Sequence, residues 1–213
     1  PLSEEFLSKE ELAILRGTAD KLALNSRFHD DEFHISRRPK VGIAQEVFDC
    51  VEDARIACIG ADLMQGVEKN LSAELQEQCV QQGLATIEHQ SHAPISLALG
   101  LYIREKVTGS SSPPAARKSL RFWYDHIEER VGAEVSQLSD LLFQQEKFSD
   151  LALKIIKDLG LSEDGDRQDS ENENENEDDE LDDIEVHEND GVSNQEIGID
   201  TDMTDAIEGE VST

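Results

Sequence analysis

The charge along this chain breaks near Leu161. Residues 161–213 carry 22 Asp and Glu against one basic residue, Arg167, a net charge of −21, whereas residues 1–160 carry 26 acids and 18 bases, net −8. A segment so poor in apolar residues and so rich in like charge cannot bury enough surface to offset an ordering entropy of roughly 1–2 kcal/mol per residue. Within it, residues 171–180 alternate Glu and Asn before an acidic run, a low-complexity pattern that extends by self-repulsion. The sequence therefore predicts two parts: a compact, mainly α domain over residues 1–160 and a disordered acidic linker over 161–213. A head of that length buries about 70% of its unfolded surface, enough for one ordinary core.

The same charge excludes partners. Nucleic acids and anionic membranes reward clustered Lys and Arg, so neither is expected to bind. No apolar run approaches the roughly 18 residues of a membrane span, and no signal sequence opens the chain, so a soluble, cytoplasmic protein is expected. Cys50, Cys58 and Cys79 make neither a CxxC pair nor an even disulfide set, and read as reduced, buried thiols. The chain starts at Pro1 without a methionine and stops in acidic sequence, and both ends read as the limits of a fragment.

Periodicity predicts the elements. Ser8 and Glu11 have capping-box spacing ahead of Leu12, Leu15 and Ala19, which predicts a short helix from Lys9. Leu22, Leu24 and Phe28 then alternate with polar residues, as do Phe33 and Ile35 up to Pro39, with His29 to Glu32 between them. That pattern predicts a small β-hairpin with its tip at Asp30 and Asp31. From Ile43, helical spacing returns through Val47, Val51, Ala54, Cys58 and Leu63, which places Glu46, Glu52 and Asp53 on the outer face. A further helix over residues 66–82 stops at Gly83, and residues 84–92 form an irregular connection. Another helix starts at Pro94 and ends at Gly109, and a Ser-Pro loop follows. Three helical segments over residues 120–131, 135–143 and 148–159 complete the head.

His29 and His34 bracket three acids, a combination of imidazole and carboxylate that suits a first-row divalent ion, although Asp and His are also ordinary turn residues. His89 and His92 form a pair with no third ligand nearby. Phe122, Trp123 and Tyr124, with His126 beyond, read as packing or as a protein contact. No GxxxxGK[ST], GxGxxG, HExxH or nucleophile elbow is present, so no catalytic residue, resident cofactor or resident metal is assigned and the head is expected to bind or scaffold.

One ordered series of residues goes further. Phe48-Asp49, Val51-Glu52, Ala54-Arg55, Ile59-Gly60, Met64, Gly66-Val67 and Asn70-Leu71 follow one another within residues 42–71. Arg16-Gly17, Ala19-Asp20 and Ala23-Leu24 precede them, and Ala85-Thr86-Ile87, Ala93-Pro94, Arg104-Glu105-Lys106 and Thr108-Gly109 follow. This series resembles the N-terminal region of the CobT subunit of aerobic cobaltochelatase, over roughly residues 12–190, with the acidic segment standing where that family has its acidic linker.

The resemblance implies a subunit of an ATP-dependent complex, a ligase forming nitrogen–metal bonds, that inserts cobalt into hydrogenobyrinate a,c-diamide in cobalamin (vitamin B12) synthesis. It implies an AAA+ ATPase and a large chelatase as partners, possibly with assembly into a ring, and cobalt, ATP and Mg²⁺ as requirements of the whole complex. The family's von Willebrand A-like domain, with its DxSxS metal motif, has no counterpart in these residues. Under this reading the head is a coupling element, with partner contacts drawn from Arg55, Met64, Asn70, Arg104 and Lys106. A rival reading is a metal-delivery or interaction module that collects divalent cations through His29, His34 and the acidic segment. A generic acidic chaperone is a third reading, and it leaves the ordered motifs of the head without a purpose.

Overall fold

The computed structural model describes residues 7–40 and 42–162. The acidic linker expected over 161–213 therefore falls almost wholly outside the described residues. Among these described residues seven α-helices form the head: α1 (Lys9–Phe28), α2 (Asp31–Arg37), α3 (Gly42–Leu63), α4 (Gln65–Gln81), α5 (Ile95–Thr108), α6 (Arg117–Leu138) and α7 (Gln145–Asp158). Short 3₁₀ turns occupy Leu84–Thr86, Gln90–His92 and Ser139–Leu141, and no strand occurs among the described residues.

The hairpin expected over residues 22–39 is thus absent, and the reason is geometric. Residues two apart share a face on a strand but point about 200° apart on a helix, so an alternation of residue type only a few residues long does not fix which of them are buried. Leu22 is 66% exposed and Leu24 6%, yet both belong to α1. The capping box at Ser8 and Glu11 closes in both directions, at 3.1 and 2.8 Å, and α1 then runs on for 20 residues rather than stopping short. The turn chemistry at Asp30 is used differently: its carboxylate accepts from the Phe33 amide at 2.9 Å and caps α2.

Two helices are apolar on nearly every side and so lie at the centre. α3 buries eleven of its 22 residues and α5 eight of its 14, and the two pack directly against each other. Around them α6 contributes Leu120, Ile127, Val131, Val135 and Leu138, and α7 contributes Phe148, Ala152, Ile155 and Ile156 to the same core. α1 and α4 form a pair on the other side, where Leu24, Ile56, Val67 and Leu71 make a second, smaller cluster with α3. The segments expected over 120–131 and 135–143 merge into α6 and its terminal turn.

Gly109 ends α5 as the spacing predicts, at φ +72°, with its amide bonded to the Glu105 carbonyl. At the end of α7 the Leu161 amide bonds to the Ile156 carbonyl and Gly160 to Lys157, a Schellman closure, and Leu161 packs on the core. The last capped helix of the head therefore ends at the charge break. Among the cysteines Cys58 and Cys79 are buried, Cys50 is half-buried and none is bonded; burial pushes the Cys58 thiol up to about 12.

Candidate functional site

The junction of α1 and α2 places His29 over α3, and the short α2 turns His34 inward onto the same surface. Their rings lie 4.9 Å apart, and His34 stacks on Phe48 at 4.9 Å. Beneath them α3 presents Asp49, Glu52 and Arg55 at successive intervals of three, one side of a helix. The histidines singled out in the sequence are brought together, by a helix corner rather than by a hairpin.

Glu52 is the residue that sequence periodicity misplaces. Assigned to the outside of its helix, it is 4% exposed, because Arg55 accompanies it inward. Arg55 Nε donates to Glu52 Oε2 at 2.8 Å and Nη2 to Oε1 at 2.6 Å. Two further guanidinium hydrogens reach the Leu142 carbonyl and the Phe28 carbonyl, both at 2.7 Å, and the group sits 5.8 Å from the Phe148 ring centroid. At 1% exposure Arg55 joins the end of α1, the turn before α7 and α3 from within. Its expected place in an exposed contact face is therefore corrected: its donors are spent inside the domain. An acid and an Arg three apart in an apolar helix are the signal that could have found this pair.

The imidazoles are held by carboxylates. His29 Nδ1 is 2.7 Å from Glu52 Oε1, and its Nε2 is 3.3 Å from Asp31 Oδ1. His34 Nε2 is 2.9 Å from Asp49 Oδ1, and Asp49 also takes a two-pronged contact from Arg38. Burial pushes the Asp49 carboxyl up, but the hydrogen bonds from Arg38 and His34 outweigh it and hold it below the usual range. His34 Nδ1 is buried with no partner among the described residues. Gln145, at the start of α7, closes the edge by accepting from the Asp30 amide at 2.9 Å. His29, His34 and Glu52 each offer a ligand atom within 4.8 Å of the others. They line a cleft of about 570 Å³ with Asp31, Arg38 and Asp49.

The other sequence candidates lie apart from this cluster. Met64 is 55% exposed at the corner between α3 and α4. Asn70 is half-buried and donates to Asp20 Oδ2 on α1 at 2.8 Å. Arg104 lines an apolar cleft of about 370 Å³ between α1, α3, α4 and α5, where burial lowers its pKa. Lys106 faces the other way, 2.7 Å from Glu128 and 5.2 Å from the Tyr102 ring centroid. His89 and His92 lie 6.1 Å apart in the 3₁₀ connection. Trp123 packs on the core and donates to the Ala93 carbonyl at 2.8 Å.

A family model described as "Cobalamin biosynthesis protein CobT" matches residues 1–212. No solved structure matches. None of the described helices is long and apolar enough to cross a membrane. With the match running across the whole length of the sequence, the chain belongs to the CobT family of cobalamin biosynthesis proteins.

Proposed function

We propose that this chain is a non-catalytic coupling subunit of an ATP-dependent cobaltochelatase, the complex that inserts Co²⁺ into hydrogenobyrinate a,c-diamide. The single observation that carries the reading is the CobT family match over residues 1–212. Cobalt is then substrate of the assembly, ATP and Mg²⁺ belong to its motor subunit, and this head docks on that AAA+ partner. Inserting a dication into a macrocycle requires removal of its water shell and distortion of the ring, work that hydrolysis on one subunit must transmit to another.

The outer surface supports a docking role. Leu15 and Leu22 are 56% and 66% exposed and lie two turns apart on α1, on the side opposite the buried Gly17 and Leu24. Met64 and the cationic end of Lys106 are further exposed contacts. Gel filtration of the head with the family's AAA+ subunit and ATP is the direct trial. Comigration is expected, with loss in the Leu15→Glu/Leu22→Glu variant while its circular dichroism stays helical. Separate elution of the wild type under every nucleotide condition would overturn the proposal.

A further inference from the structure

We propose that His29, His34 and Glu52 bind one first-row divalent cation, at a site formed where the α1–α2 corner meets α3. Three observations converge there. Two imidazoles and one carboxylate offer ligand atoms within 4.8 Å of one another. His34 is nine-tenths buried, and its Nδ1 has no partner among the described residues. Its other nitrogen is tied to Asp49, which Arg38 in turn orients, so the free lone pair is aimed by a carboxylate–histidine pair as metal-ligating imidazoles are.

The remaining donors can be accounted for. Glu52 has about four lone-pair positions; Arg55 uses two and His29 one, which leaves one for a cation. His29 has carboxylates at both nitrogens, Glu52 at Nδ1 and Asp31 at Nε2. Moving its proton from Nδ1 to Nε2 frees Nδ1 as a ligand and gives the new N–H an acceptor in Asp31. No net proton is released by that exchange of tautomers. Both histidines would then ligate through Nδ1 with a carboxylate behind each ring.

Bonds of about 2.0–2.2 Å set neighbouring ligand atoms about 3–3.5 Å apart, so His34 closes inward by about 1 Å while His29 Nδ1 and Glu52 Oε1, 2.7 Å apart, separate slightly. Arg38 and Arg55 do not repel the ion unopposed, since each is already committed to a carboxylate, and Asp31 adds a further negative charge at the rim. The cleft of about 570 Å³ above the cluster gives a hydrated ion its path in. Imidazole with carboxylate selects Co²⁺, Ni²⁺ or Zn²⁺ over Mg²⁺ or Ca²⁺. The site stands apart from the α1 docking stripe and does not rest on the coupling role.

The test is a CoCl₂ titration of the full chain in excess Mg²⁺, which occupies the abundant carboxylates, followed by visible absorption. Saturation at one equivalent is expected, with about a hundredfold weaker binding in His29→Gln and His34→Gln and about tenfold weaker in Asp31→Asn. Asp31 is 88% exposed along its side chain, so that variant keeps the experiment meaningful if His34→Gln fails to fold. Absence of a saturable band, its suppression by Mg²⁺, or equal affinity in the folded variants overturns the proposal. Lost comigration with the AAA+ subunit beside an intact Co²⁺ titration would refute the coupling role alone.

Discussion

Arg55 shows at the scale of one residue why the site holds its shape. A guanidinium in the core is tolerated because four of its five N–H hydrogens have an acceptor, two on Glu52 and one each at Leu142 and Phe28. Such a pair adds little beyond a well-packed apolar equivalent, but removing one partner leaves the other charged and dry. Arg55→Met is therefore expected to lower the unfolding free energy by about 3–5 kcal/mol, read from urea midpoints. In Arg55→Met/Glu52→Leu, removal of the orphaned carboxylate should return part of that loss. The return should be incomplete, because the Leu142 and Phe28 carbonyls still lack a donor and His29 loses Glu52. A double variant as unstable as the single one would mean that the carbonyl contacts, and not the ion pair, hold the corner together.

Between elements, α1 and α4 approach each other closely at Gly17. A Cβ at Gly17 would lie 2.3 Å from the Asn70 carbonyl oxygen, a backbone atom with nowhere to go, and Asn70 is fixed on α1 by its bond to Asp20. Gly17→Ala should force the helices apart and cost about 1–3 kcal/mol. Gly66→Ala, where a Cβ meets nothing within 4 Å, should be neutral or gain a few tenths of a kcal/mol, about what helix propensity allows. Differential scanning calorimetry of the two variants separates packing from propensity by the sign of the change. These positions also mark how far the sequence could be read. Caps at Ser8 and Gly109 are local chemistry, and the spacing of α4 repeats over four turns, so both were legible. The Leu22 to Pro39 stretch was not, since so short an alternation fits a helix as well as a strand. The site was legible by half: His29 and His34 announced themselves, whereas Glu52 depended on a partner buried with it and on two carbonyls distant in sequence.

For the whole molecule, the charge break sets a division that the folded part respects. α7 closes its carbonyls at Gly160 and Leu161, and Leu161 is the last residue seen packing on the core. Of the total charge of −29, −21 resides beyond residue 160, and sequence of that composition is expected to add little buried area. Cutting the chain after Ser162 should therefore leave the thermal midpoint within about 2 °C of the full chain in ordinary buffer, a difference under about 1 kcal/mol. The salt response should differ more. The Debye length falls from about 30 Å at 0.01 M to about 3 Å at 1 M, so screening relieves repulsion among acids crowded in sequence and changes little for a head at net −8. Gel filtration across that range is expected to delay elution of the full chain and to leave the 1–162 fragment in place. If the two shift together, residues 163–213 are engaged with the head, and the division drawn from charge alone fails. A midpoint that drops on truncation would point the same way, to apolar residues such as Ile197, Ile199 and Met203 contributing buried area.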